Sequence, residues 1–166
     1  MKNILRKSFV SVIAALTLIF SSCTNQNVLE FYDAETVTIN GEVTENLHVE
    51  INRKKVAHVP IIELLTELGF EVVWKDSSTA VVSILEKEYV ISLVEKTILL
   101  TDCEGDYNYI MACPGTQYYF CEVVGNDIIV DDDTANNFLG ETGVRCYFSV
   151  NYRKMTVSIE TPNLAT

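Results

Sequence analysis

The chain has 166 residues, 48% of them hydrophobic, with 23 acidic against 12 basic side chains and a formal charge of -11. That length bounds it to one domain, or to two small repeats sharing a core. The acidic balance excludes nucleic acid as a partner, since phosphates demand a basic face, and it argues against adhesion of the protein surface itself to anionic lipid.

The N-terminus reads Met1-Lys2-Asn3-Ile4-Leu5-Arg6-Lys7, continues through an uncharged apolar run at 9–20, and reaches Ser21-Ser22-Cys23. A basic start, a short apolar stretch and small residues at a cleavage point form a secretory signal, assigned to residues 1–22. The apolar run is too short for a permanent span, which needs about 20 residues. Phe20-Ser21-Ser22-Cys23 resembles the bacterial lipobox, with Phe20 where Leu is usual. The resemblance implies that Cys23 becomes the first mature residue and carries lipid, which places the protein on the extracytoplasmic face of the cell membrane. Removing residues 1–22 takes away Lys2, Arg6 and Lys7 and no acid, so the charge moves from -11 to -14.

Residues 23–35 are polar and without period, and are expected to be the lipidated end and its tether. From position 36 strands dominate. Val37-Thr38-Ile39-Asn40-Gly41-Glu42-Val43 carries an Asn-Gly hairpin turn, and Leu47, Val49 and Ile51 alternate on one face of a following strand. Pro60 suits the first position of a short helix; Ile61, Leu64, Leu65 and Leu68 recur at helical spacing, and Gly69 is placed to end it. Strands are expected at 71–75, 80–85 and 88–93, with the turn Asp76-Ser77-Ser78-Thr79 between the first two. Trp74, on an apolar strand, is expected in the core.

The second half follows the same order. A strand at 117–124, a turn at Gly125-Asn126-Asp127 and Ile128-Ile129-Val130 lead into Asp131-Asp132-Asp133. Ala135, Phe138 and Leu139 mark one face of a second helix ending near Gly140 or Gly143, and strands at 144–150 and 155–160 close the domain. Leu68-Gly69 then Trp74 parallels Thr142-Gly143 then Phe148, and Val82-Ser83-Ile84 parallels Val157-Ser158-Ile159. The expected fold is α+β: two repeats of a strand–short helix–strand–strand unit, at about 36–95 and 96–160, forming antiparallel sheets with one short helix each, followed by a tail at 161–166.

This pattern resembles the copper amine oxidase N-terminal-like, or stalk, domain of exported bacterial proteins. The residues that carry the resemblance run from Val59-Pro60-Ile61-Ile62-Glu63-Leu64-Leu65 through Leu68-Gly69-Phe70-Glu71-Val72-Val73-Trp74 to Val81-Val82-Ser83-Ile84. Ile61-Ile62 stands where the family often has Leu-Arg, and Asp131 where the second copy should have Pro. These are packing and turn residues, so the resemblance implies a fold and no chemistry. Amine oxidation itself is excluded: it needs three histidine ligands and a quinone-forming tyrosine before an acid, whereas this chain has two histidines, and neither Asn108-Tyr109-Ile110 nor Asn151-Tyr152-Arg153 carries the acid.

Four cysteines remain beyond Cys23. In an exported chain Cys103, Cys113, Cys121 and Cys146 permit two disulfides in any of three connectivities, of which 103–113 across a polar hairpin tip and 121–146 between two strands are favoured. Tyr107, Tyr109, Tyr118 and Tyr119 form the candidate contact surface, because exposed aromatic rings stack on sugars and anchor protein partners; packing inward is the alternative. Asp127, Asp131, Asp132, Asp133 and Glu141 have oxygen ligands for calcium but not the spacing of an EF-hand loop, and helix capping accounts for them better. Cys113 with His58 could be imagined as a thiolate–base pair, but nothing local supports it, and a disulfide or a buried cysteine accounts for Cys113 better. There is no Cys-x-x-Cys, and His48 and His58 are remote in sequence from the cysteines, so neither metal nor cofactor is expected. The expectation is a non-catalytic lipoprotein with a structural or binding role at the envelope, toward peptidoglycan, surface polysaccharide or an envelope protein. The alternative is an inhibitor or accessory subunit of a secreted enzyme.

Overall fold

The computed structural model describes residues 30–101, 107–112 and 121–164, with the side chains of 101, 107–112 and 121 left out. Alternating residues and tight turns build three sheets. The central sheet has the order β1 (Tyr32–Asp33), β4 (Glu50–Ile51), β5 (Ala57–Pro60), β12 (Asp127–Asp131) and β11 (Cys121–Val124). A second sheet runs β10 (Tyr107–Ala112), β9 (Thr97–Thr101), β8 (Lys87–Ser92), β7 (Thr79–Ile84), β6 (Val72–Trp74), and a third β13 (Tyr147–Asn151), β14 (Thr156–Glu160), β2 (Thr36–Ile39), β3 (Glu42–Thr44). Two helices, α1 (Ile61–Glu67) and α2 (Asp132–Thr142), complete the mixed α+β architecture among the described residues.

The middle of the molecule is the antiparallel pair β5–β12, with Pro60 opposite Ile129 and His58 opposite Asp131. Each of these strands runs directly into a helix. Alternation sends Ala57, Val59, Ile128 and Val130 to the inner face, where they are fully buried. Helix α1 buries Ile61, Ile62, Leu64 and Leu65 in two turns, too short to persist outside a fold. Its C-terminus closes as Gly69, at φ 84°, donates to Thr66 O and Phe70 donates to Leu65 O, the paired bonds of a Schellman end. The same closure ends α2, where Gly143 at φ 91° donates to Gly140 O and Val144 donates to Leu139 O. A hairpin follows each helix: β6–β7 after α1 and β13–β14 after α2. One contiguous core joins all three sheets, and the Tyr89 ring meets Phe138 edge-on at 6.4 Å to tie the second sheet to α2.

Several expectations change. The fold begins earlier than position 36, because Tyr32–Asp33 pairs with β4 and the Phe31 ring stacks on His58 at 3.4 Å. Pairing is not wholly antiparallel: β2 lies parallel to β14, Val37 beside Val157, so the first and last long strands close one sheet. The strand expected through Leu47, Val49 and Ile51 pairs only at Glu50–Ile51, although all three apolar side chains are buried as anticipated. Trp74 is not core. It lies on β6, the outermost strand of its sheet, and is 39% exposed beside Val73, since an edge strand packs against a neighbour on one side alone. The Asn-Gly hairpin forms as read, with Asn40 at φ 51° and Gly41 at φ 86° between β2 and β3.

Candidate functional site

On the outer face of the central sheet, register aligns Asp33, Glu50, His58 and Asp131 across β1, β4, β5 and β12. The next rows on that face carry Pro60, Ile129 and Glu122, then Asp127 and Val124. All of these but Asp131, together with His48 and Glu63, line a groove of about 340 Å³. Asp33, Glu50, Glu63, Glu122 and Asp127 supply five carboxylates, His48 and His58 two imidazoles, and Pro60, Val124 and Ile129 an apolar floor. No Lys or Arg is among these lining residues.

Asp127 is the structural pivot. Helix α1 has no side-chain cap of its own, because the residue before it is Pro60. Asp127 reaches across from β12 instead: Oδ1 accepts from Ile62 N at 2.8 Å and Ile128 N at 2.7 Å, and Oδ2 accepts from Glu63 N at 2.9 Å. Burial pushes its carboxyl up to about 6, against the lowering effect of those three N–H donors, and neighbouring Glu63 adds to the rise. Glu63 in turn accepts from His48 N at 2.9 Å, with His48 Nδ1 at 3.1 Å. His58, 6% exposed, lies under Phe31 with Nδ1 3.9 Å from Glu50. Burial lowers its pKa to about 4 although Asp131 acts to raise it, so it is neutral at pH 7.

Of the second-half acids, Asp127 caps α1 and Asp131 caps α2. Asp131 Oδ1 accepts from Thr134 N at 2.7 Å at the start of α2, and Asp132 Oδ1 accepts from Ala57 N at 3.2 Å. Among the described residues no group of three His, Cys, Asp or Glu is arranged to hold a metal ion. The groove is lined by carboxylates with no Lys or Arg to offset them.

Cys146 carries a free thiol, 2% exposed, so the favoured 121–146 bridge does not form in this structure. The two positions lie in different sheets, Cys121 on β11 and Cys146 just before β13. Burial raises the Cys146 thiol to about 12, which makes it inert. Cys23, Cys103, Cys113, Tyr118 and Tyr119 lie outside the described residues. Tyr107 and Tyr109 fall on β10, opposite Thr101 and Leu99. The Leu99 position continues through Val90 and Val81 to Val73, giving one cross-strand row on the second sheet.

The groove was not legible as a site. Its two histidines are ten positions apart, His48 just before β4 and His58 on β5, and its acids come from four separate strands and a helix. Alternation within 48–50 and 58–60 was the available signal, but the third partner, β12, comes from the other half of the chain. No family model matches this chain, and comparison with curated proteins and with solved structures found no match.

Proposed function

We propose that this protein is an exported lipoprotein, held on the extracytoplasmic face of the membrane by lipid on Cys23, whose domain is a non-catalytic binding module of the cell envelope. The observation that carries the reading is the groove: five carboxylates and two histidines around an apolar floor, with no Lys or Arg in the lining. Such a cleft selects a protonated amine or a basic side chain joined to an apolar stem. Cross-linking peptides of peptidoglycan and basic segments of envelope proteins both offer that group. The neutral, deeply covered His58 and the capping duty of Asp127 leave Asp33, Glu50, Glu63 and Glu122 as the carboxylates that meet a ligand.

The two-repeat, stalk-like reading belongs to the same proposal. Its support is the succession seen twice: a hairpin ending in β5 or β12, a helix closed at Gly69 or Gly143, then another hairpin. The two central strands pair antiparallel, which is how two copies related by a local two-fold would meet.

The test is co-sedimentation of the mature protein with purified cell walls, competed by soluble muropeptides with and without a free amine. Saturable pelleting, displaced by the amine-bearing peptide and weakened at least about tenfold in a Glu50→Gln/Glu63→Gln/Glu122→Gln variant, is the expected result. Pelleting unaffected by the three substitutions would remove the groove from the reading.

A further inference from the structure

Although the chain is strongly acidic, its basic residues are not spread evenly. Of twelve Lys and Arg, three precede position 23, which leaves nine; five of these, Arg53, Lys54, Lys55, Arg153 and Lys154, occupy just two turns. Both turns are pinned by an asparagine. Asn52, 1% exposed, accepts on Oδ1 from Lys54 N at 2.9 Å and Val56 N at 3.1 Å, closing the β4–β5 hairpin with Lys55 at φ 64°. Asn151 accepts on Oδ1 from Lys154 N at 3.2 Å, closing the β13–β14 hairpin with Met155 at φ 49°. Buried or backbone-bound asparagines thus hold the turns, and all five charged side chains are on exposed positions.

The two turns lie together. Arg53 Nε donates to Tyr152 Oη at 3.3 Å, bridging 99 positions of sequence. The chain enters the domain between them: Tyr32 pairs with Ile51 at the base of one turn and approaches the Tyr152 ring at 6.3 Å, while Glu35 N donates to Met155 O at 2.7 Å at the base of the other. On the entering segment of the domain the acids are Asp33 and Glu35, both exposed, and Asp33 lines the groove. Farther along β4 and β5 the sign reverses at Glu50 and the carboxylate groove.

We propose that this basic end is a membrane-contact surface for anionic phospholipid headgroups, the second element of anchoring beside the lipid on Cys23. The proposal rests on the anchoring reading above. From Cys23 to Phe31 are eight residue steps, at most about 28 Å when fully stretched, so the domain is confined close to the bilayer with its entry end leading. Within about 8 Å of an anionic surface screening no longer cancels the attraction, and a cluster of Lys and Arg beside a membrane anchor is drawn to anionic headgroups. The same field repels the acidic groove, so the charge asymmetry turns the groove away from the bilayer, where a cationic wall or protein ligand reaches it. Net charge alone pointed away from lipid contact; the distribution of charge reverses that conclusion for one end of the molecule.

The test uses the full mature protein, extracted from membranes and reconstituted into vesicles of zwitterionic lipid alone or with anionic phosphatidylglycerol. Its intact mass first establishes whether Cys23 bears lipid. The readout is amide hydrogen exchange at 52–56 and 151–155. Exchange slowed at least about fivefold by anionic vesicles, reversed by 0.5 M salt and absent in a Lys54→Glu/Lys55→Glu/Arg153→Glu/Lys154→Glu variant that stays vesicle-bound, supports the proposal. Equal exchange in both vesicle types, for protein shown to be lipidated, overturns it and leaves the anchoring intact. Slowing by soluble polyphosphate but not by anionic vesicles also overturns it, in favour of an anionic wall polymer. A mature chain without lipid mass refutes the anchoring and this surface's role together.

Discussion

Asp127 and His58 are both buried on one face of the central sheet and titrate in opposite senses. Asp127 is raised to about 6 in the fold, so its contribution to stability is fully present below its unfolded value and is lost as pH rises through 6. His58 is lowered to about 4, so its contribution is present above its unfolded value and is lost as pH falls toward 4. Between pH 7 and 5 the first gains about 1 kcal/mol and the second loses about 2 kcal/mol, leaving a nearly flat profile. Replacing Asp127 by Asn is expected to expose the histidine effect, with stability falling on acidification. Replacing His58 by Phe is expected to expose the carboxyl effect, with stability rising. Urea midpoints at pH 7 and 5 check both. Asp127→Ala, which strands three N–H groups, should cost about 2 kcal/mol at pH 7 and about 1 kcal/mol more at pH 5. Cys146 makes a separate prediction: its thiol should resist Ellman's reagent in the native protein and react on denaturation, and ready reaction in the native state would contradict its burial.

At the scale of elements, what could be read from the sequence was what is local. The Asn40-Gly41 hairpin, the Gly69 and Gly143 helix ends and the apolar faces of α1 and α2 each rest on residues within a few positions, and each formed. What escaped was pairing between distant segments: β2 with β14, β5 with β12, and Asp127 with the N-terminus of α1. Helix α1 shows why. Its missing cap is visible in the sequence at Pro60, but the carboxylate that replaces it stands more than sixty positions away, and no period or spacing points to it. Trp74 illustrates the converse error, because apolar alternation does not say whether a strand lies inside a sheet or at its edge. The β7–β8 turn offers a test of local chemistry. Leu85 and Glu86 both sit at positive φ, 46° and 67°, where glycine or asparagine is preferred. Glu86→Gly is expected to stabilise by about 1 kcal/mol by relieving that conformation. Gly143→Ala is expected to cost more than Gly69→Ala, since both have positive φ but only at Gly143 does an added Cβ meet a neighbour, Leu85 Cδ1 at 3.3 Å. Thermal midpoints of the pair separate strain from contact.

For the whole molecule, charge is segregated along the central sheet: basic turns where the chain enters, carboxylates across the adjoining outer face. That arrangement suits a domain tethered by its N-terminus, which must present one end to a bilayer and another face to the envelope. Composition alone could not show this, because a net charge of -11 averages over both. The anchoring reading underlies both the groove's placement and the basic end's role, so it is the claim to test first. The mature protein should be recovered from the membrane fraction and its N-terminal peptide weighed. The account predicts a chain beginning at Cys23 and bearing a diacylglycerol adduct, with a Cys23→Ser variant released from the membrane. A mature chain starting at another residue, or Cys23 recovered as an unmodified thiol, would contradict it.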